Sequence, residues 1–161
     1  MTRPRVEFID TSVFCHIIAV PGRSSADDTK AFGEEFVRRH AQEGVRFVLP
    51  ITTIIETGNF IQQCTTGRRE AAERFRRALE LAAEDDAPWV VHDLDWNGEF
   101  IREVVAGNGT GTSLVEHFTA QTLGAGDLTI LVERDRYKKK RAFASVGIWT
   151  TDTKFASYLS N

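Results

Sequence analysis

Apolar and polar positions along this chain switch between a period of two and a period near 3.6. Residues 5–9 (Arg-Val-Glu-Phe-Ile) predict a short strand that ends at Asp10. A helix is expected over 26–43, with Phe32, Phe36 and Val37 on one face. Asp27 and Asp28 suit its positive amino end, and Gly44 stops it. Residues 45–49 form a β-branched and aromatic run, read as a buried strand. Pro50 then opens a helix over 51–64, where its missing N–H costs nothing. In the following helix, 68–84, Ala71, Phe75, Ala78, Leu79 and Ala82 recur at helical spacing, with Arg and Glu opposite. Residues 89–91 (Trp-Val-Val) predict a third short strand, and 97–106 a helix that turns Phe100, Ile101, Val104 and Val105 inward. The run Gly107-Asn108-Gly109-Thr110-Gly111 reads as a flexible loop. Helices over 112–122, 126–136 and 153–159, and a buried strand over 146–149, complete the pattern. Strands alternating with helices predict a parallel sheet covered on both faces. The expected architecture is α/β: one domain over 1–161, an α/β/α sandwich around a parallel sheet of about four to five strands.

Composition narrows the class. A chain of 161 residues has the length of one domain. It can bury about 68–70% of its unfolded surface without a disulfide or a structural metal. With 42% apolar and 27% charged residues, it is neither disordered nor fibrous. No apolar run approaches the roughly 20 residues of a membrane span. The opening Met-Thr-Arg-Pro-Arg has charge but no apolar signal region, so a cytoplasmic protein with no membrane partner is expected. Cys15 and Cys64 form no Cys-x-x-Cys pair and are expected as reduced thiols. The net charge of −3 neither demands nor forbids a nucleic-acid partner. Its distribution is uneven: residues 134–141 (RDRYKKKR) hold six bases and one acid, and Arg68, Arg69, Arg74, Arg76 and Arg77 form a second basic cluster. Either cluster is a solvated face or a contact for phosphates; the 134–141 segment is also open to a mobile-loop or partner-binding reading.

Four acids stand where an open α/β sheet gathers its functional groups, outside the carboxyl ends of strands. Asp10 follows the first strand, and Asp152 follows the last after Thr150-Thr151. Glu56 lies in the second turn of the helix after strand 45–49, and Asp127 in the first turn after Leu123-Gly124-Ala125-Gly126. Taken singly, each is better explained as a turn former or helix cap. Taken together they would repel: two unit charges 4 Å apart interact by about 4 kcal/mol at an effective dielectric of ~20. A cluster of this kind stays ionised at pH 7 only with a counter-charge. Hard oxygen donors select Mg²⁺ or Mn²⁺ rather than zinc.

Four short patterns occur in order: Phe8-Ile9-Asp10-Thr11-Ser12, Thr53-x-x-Glu56-x-x-Asn59, Gly124-Ala125-Gly126-Asp127 and Thr150-Thr151-Asp152-x-x-Phe155. In these the chain resembles the PIN-domain family of metal-dependent ribonucleases over nearly its whole length. The resemblance implies a PIN-like sandwich and an endoribonuclease that hydrolyses RNA phosphodiesters with Mg²⁺ or Mn²⁺. Asp10, Glu56 and Asp127 would be the principal metal ligands. Asp152 would be the fourth acid, for a second metal or for positioning water. Ser12, Asn59 and Thr151 would orient the carboxylates, and Arg68 and Arg69 would meet RNA phosphates. Small proteins of this family are often toxins of VapBC-type toxin–antitoxin pairs, which implies a homodimer and an antitoxin partner. The spacing of 71 residues from Glu56 to Asp127 exceeds that in the shortest such toxins, and Leu128-Thr129-Ile130 replaces their alanine-rich continuation. A haloacid-dehalogenase-type phosphatase needs a second Asp at position 12, where this chain has Ser12. A receiver domain needs an acidic pair and a late lysine that are not in place. The remaining alternative is a catalytically inactive PIN-fold RNA-binding or scaffold protein.

Overall fold

The computed structural model describes residues 3–159. Its three strands, β1 (Arg5–Ile9), β2 (Arg46–Val48) and β3 (Ser145–Trp149), form a parallel sheet in the order β2-β1-β3. Eight helices accompany them: α1 (Thr11–Ile17), α2 (Ala26–Glu43), α3 (Ile51–Gln62), α4 (Arg68–Ala83), α5 (Gly98–Val105), α6 (Leu114–Ala120), α7 (Ala125–Lys140) and α8 (Thr153–Ala156).

The sandwich follows from the two-residue alternation of the central strand. Ile9 joins a core with Val13, Phe14, Phe47 and Trp149, closed by side chains of α1 to α4. Val6 and Phe8 enter a second core with Val48, Leu128, Leu131 and Phe155, closed by α5 to α8. In the first core Phe47 is fully buried, with Phe36 stacked on it at 4.5 Å between ring centroids and Trp149 at 6.0 Å. Glu7 is the buried charged residue on β1. It is 9% exposed, and Arg39 of α2 reaches it at 2.7 Å while lying 4.1 Å over the Trp149 ring. A buried carboxylate has to be paired, so this contact fastens α2, which has no fully buried residue of its own, onto the sheet.

The helix ends obey local chemistry. Ser25 accepts from the Asp28 amide at the start of α2, and Gly44 closes it at φ 66°. Asn97 and Ser113 cap α5 and α6 in the same way. Cys15 and Cys64 are free and buried; burial pushes the Cys15 thiol up to about 11.

Five expectations are corrected, the first in α5, where Phe100 is buried but Ile101 and Val105 are exposed rather than turned inward. Among the described residues the sheet has three strands rather than four to five, because residues 89–91 form only one bridge, Phe47 to Trp89. Phe47 exchanges two hydrogen bonds with Pro88 and Val90. The pairing stops there because Asp85 takes the Val91 amide at 2.8 Å and Arg46 takes the Trp89 carbonyl. Residues 11–17, given no element by the pattern, are helical, since the Asp10 carboxylate caps them. The basic segment 134–141 is not a mobile loop: α7 runs through Lys140. Arg136 pairs with Glu103 at 3.2 Å, and Lys140 with Asp95 at 3.2 Å. The glycine-rich loop is tethered rather than free, with Thr110 bonded at 2.8 Å to fully buried His117. Among the described residues no helix is long and apolar enough to cross a membrane.

Replacing Phe47 by Ala removes the ring at the centre of the first core. The variant is expected to lose about 3–5 kcal/mol, read as a lower urea midpoint with an unchanged slope; a loss below about 1 kcal/mol would contradict this packing role.

Candidate functional site

Parallel strands point their carboxyl ends to one edge, and the four acids stand there. Asp10 directly follows β1 and is 6% exposed. Its Oδ1 accepts the Thr11 amide at 2.8 Å. Its Oδ2 accepts the hydroxyls of Thr150 at 2.7 Å and Ser12 at 3.0 Å. Thr150 in turn accepts the Asp152 amide at 3.0 Å, and Ser12 accepts the Thr151 amide at 3.1 Å. On the other side the Thr11 hydroxyl donates to Glu56 at 2.6 Å. One continuous network therefore joins Glu56, Thr11, Asp10, Thr150 and the backbone of Asp152. Thr53, fully buried one turn before Glu56, donates to the Ile9 carbonyl at 2.8 Å and ties α3 to the end of β1.

Asp127 enters from α7, and its Oδ2 accepts the Gly124 amide at 3.0 Å in the first turn. Gly126 beside it admits Glu56: a Cβ at that position would lie 2.2 Å from Glu56 Oε1. Thr52 and Thr129, 2.8 Å apart, hold α3 against α7 at the same place. Asp152 caps α8, accepting the Lys154 and Phe155 amides at 2.9 and 3.3 Å. Asp127 and Asp152 line a common cavity of about 390 Å³ together with Phe118 and Lys154.

The electrostatics register this crowding at Asp127. Its carboxyl is raised to about 6, first by burial, with further upward contributions from the charges of Asp10, Asp152 and Glu56; the Gly124 amide opposes the shift. The four acids are thus near enough to feel one another. Their oxygens do not converge: among the described residues no three His, Cys, Asp or Glu side chains are set to share one cation. The cause is visible in the network. Each carboxylate accepts instead from a nearby protein donor: Asp10 from Thr11, Ser12 and Thr150, Glu56 from Thr11, Asp127 from Gly124, and Asp152 from Lys154 and Phe155. As a donor set, four carboxylates and neighbouring hydroxyls are hard oxygen ligands of the kind that suit Mg²⁺ or Mn²⁺.

The other sequence candidates divide. Ser12 touches Asp10 directly. Thr151 contributes its backbone amide, while its side chain is exposed; the orienting hydroxyl is that of Thr150. Thr11 was also missed, although it sits inside the Phe8–Ser12 pattern. Which of two adjacent threonines turns inward depends on the strand exit, which pattern alone does not fix. Asn59 is exposed, one turn beyond Glu56. Arg68 and Arg69 are exposed at the start of α4, and Arg68 Nε donates to the Cys64 carbonyl at 2.9 Å. Two other arginines of that cluster have internal partners: Arg74 holds the Ile18 and Ala19 carbonyls, and Arg76 pairs with Glu73 and Glu80.

Compared with protein-family models, curated proteins and solved structures, the chain matches none of them.

The shift of Asp127 has a definite sign. A carboxyl raised to about 6 from 3.8 favours the folded state while protonated. That contribution is fully present below the unfolded value and is lost as the pH rises through about 6. Asp127→Asn is therefore expected to gain thermal stability over the parent at pH 7.5 but not at pH 4 when no divalent cation is present. Parallel melting temperatures across that range would contradict the assignment.

Proposed function

We propose that this protein is a divalent-metal-dependent endoribonuclease of PIN-like design. What carries the reading is the gathering of Asp10, Glu56, Asp127 and Asp152 at the carboxyl edge of a parallel sheet, with mutual charge felt at Asp127. Phosphodiester hydrolysis needs positive charge at the phosphate and a deprotonated water, and bound Mg²⁺ or Mn²⁺ supplies both. The chain's own part is to hold the carboxylates in place. Ser12 and Thr150 fix Asp10, and Thr11 fixes Glu56. Gly126 lets Glu56 approach α7. Asp127, raised to about 6 by burial and by the neighbouring acids, is the member whose ionised form a bound cation would favour most. The cavity between Asp127 and Asp152 is the space for the scissile phosphate. Arg68 and Arg69 are assigned to the RNA backbone. A role as the toxin of a VapBC-type pair, with an antitoxin partner and a homodimer, belongs to the same proposal, as does a cytoplasmic location.

A second reading is favoured by one observation: each carboxylate already has a protein donor, and no three share a cation site among the described residues. On that reading the chain is a PIN-like RNA-binding or scaffold protein without catalysis.

Incubation of labelled mixed-sequence RNA with Mn²⁺, Mg²⁺ or EDTA separates the two. The nuclease reading expects cleavage that needs the metal and disappears in Asp10→Asn. Binding that is equal with and without metal, with no cleavage, selects the scaffold. Thr150→Val keeps the shape but drops the hydroxyl on Asp10, and should weaken Mn²⁺ binding by about 10–100-fold in calorimetry. Unchanged affinity would remove Thr150 from the site. Neutralising Arg68 and Arg69 together should flatten the salt dependence of RNA binding, the slope falling by about 1 per lost phosphate contact. A slope equal to the parent's would exclude both.

A further inference from the structure

At the opposite, amino-terminal edge of the sheet lies a cavity of about 570 Å³ that the acidic centre does not use. Its size falls within the range of about 300–1,000 Å³ typical of small-ligand sites. Three cations, Arg46, Lys140 and Arg141, line it against one carboxylate, Asp85. Asp85 is already engaged by the Val91 amide at 2.8 Å and Lys140 by Asp95 at 3.2 Å, which leaves Arg46 and Arg141 as the cations open to an anion. The carboxyl end of α7 opposes this with its partial negative charge. Arg141, directly after that helix end, sets a full positive charge against it.

Two further features point to a ligand. The Arg46 guanidinium is fixed by donating from Nη2 to the Trp89 carbonyl, yet its Nε is buried and has no partner among the described residues. That Nε is closed off from solvent, so a phosphate in the cavity would meet the remaining N–H groups of the guanidinium rather than Nε. On the rim, Phe143 is 88% exposed. A large ring in that position is unusual, and the backbone beneath it is held: Arg3 donates to the carbonyls of Ala142 and Phe143, each at 3.2 Å. Val6 and Val90 supply an apolar floor. A fixed basic wall, an apolar floor and an exposed aromatic face form the combination that takes a phosphate and stacks a base.

We infer that this cavity binds a nucleoside monophosphate, its phosphate on Arg46 and Arg141 and its base against Phe143. The ligand is either a free nucleotide or the 5′-terminal unit of an RNA. The site is a full helix length from the acids, since the 16 residues of α7 span about 24 Å. It does not depend on the nuclease reading.

The test uses the full chain carrying Asp10→Asn, in EDTA, so that cleavage and the acidic centre play no part. Fluorescence anisotropy is recorded with three probes: a fluorescent adenosine 5′-monophosphate, a labelled tetraribonucleotide with a 5′-phosphate, and the same tetramer with a 5′-hydroxyl. Saturable binding of both phosphorylated probes, at least tenfold tighter than the hydroxyl tetramer, supports the site. Preference for the tetramer identifies an RNA end as the ligand, and equal affinity identifies a free nucleotide. Arg141→Gln and Phe143→Ser alter exposed side chains and leave the fold unperturbed; each should weaken the phosphorylated probes about tenfold. Arg46→Gln serves as a third variant, with its melting temperature checked. Affinity unchanged in Arg141→Gln and Phe143→Ser, or equal affinity for the phosphate and hydroxyl tetramers, overturns the proposal.

Discussion

Asp10 is a nearly buried carboxylate at the end of the central strand, and a charge in that position must be fully hydrogen-bonded. Its two oxygens take three donors, from Thr11, Ser12 and Thr150. Those bonds start α1, join the exit of β1 to the exit of β3, and set the backbone that leads into Asp152. Once Asp10 is seated, Glu56 and Asp127 are brought to it from α3 and α7, through Thr11 and across Gly126. The small sheet is stable around them because β1 sends Ile9 to one core and Val6 and Phe8 to the other. The buried charge of its central strand, Glu7, is met by Arg39.

The molecule is polar along α7. Asp127 lies in the first turn, and Lys138 to Lys140 lie in the last. Both placements suit the helix macrodipole, and together they put an acidic pole at the carboxyl edge of the sheet and a basic one at the amino edge. An acidic pole attracts cations and a basic one attracts phosphates, so one chain with a modest net charge of −3 can present both chemistries at separate surfaces.

Much of this was legible in the sequence. Helices α2, α3 and α4 and strands β1 and β3 lie within a few residues of their expected bounds, because their apolar spacing and their stops at Gly44 and Pro50 are local signals. Residues 89–91 look like a strand by composition. Their pairing was decided by a side chain, Asp85, that takes the next amide. Helix α1 was hidden because it depends on a cap supplied by Asp10, a residue read only as chemistry. At the site the sequence placed the four acids at strand and helix ends. It did not indicate that Thr150 rather than Thr151 faces Asp10, nor that Asp127 would turn to Gly124. Those details depend on backbone exit angles and on which donor lies nearest.

The central claim is that four carboxylates crowd one another at a cation-accepting edge. Carbon-13 titration of the Asp127 carboxyl, followed by NMR with and without Mg²⁺, tests it most directly. Without the ion the account predicts a midpoint raised to about 6. With saturating Mg²⁺ the midpoint should fall by at least one pH unit, because a bound cation favours the ionised form. A midpoint near the ordinary value of 3.8, or one that Mg²⁺ leaves in place, would contradict it.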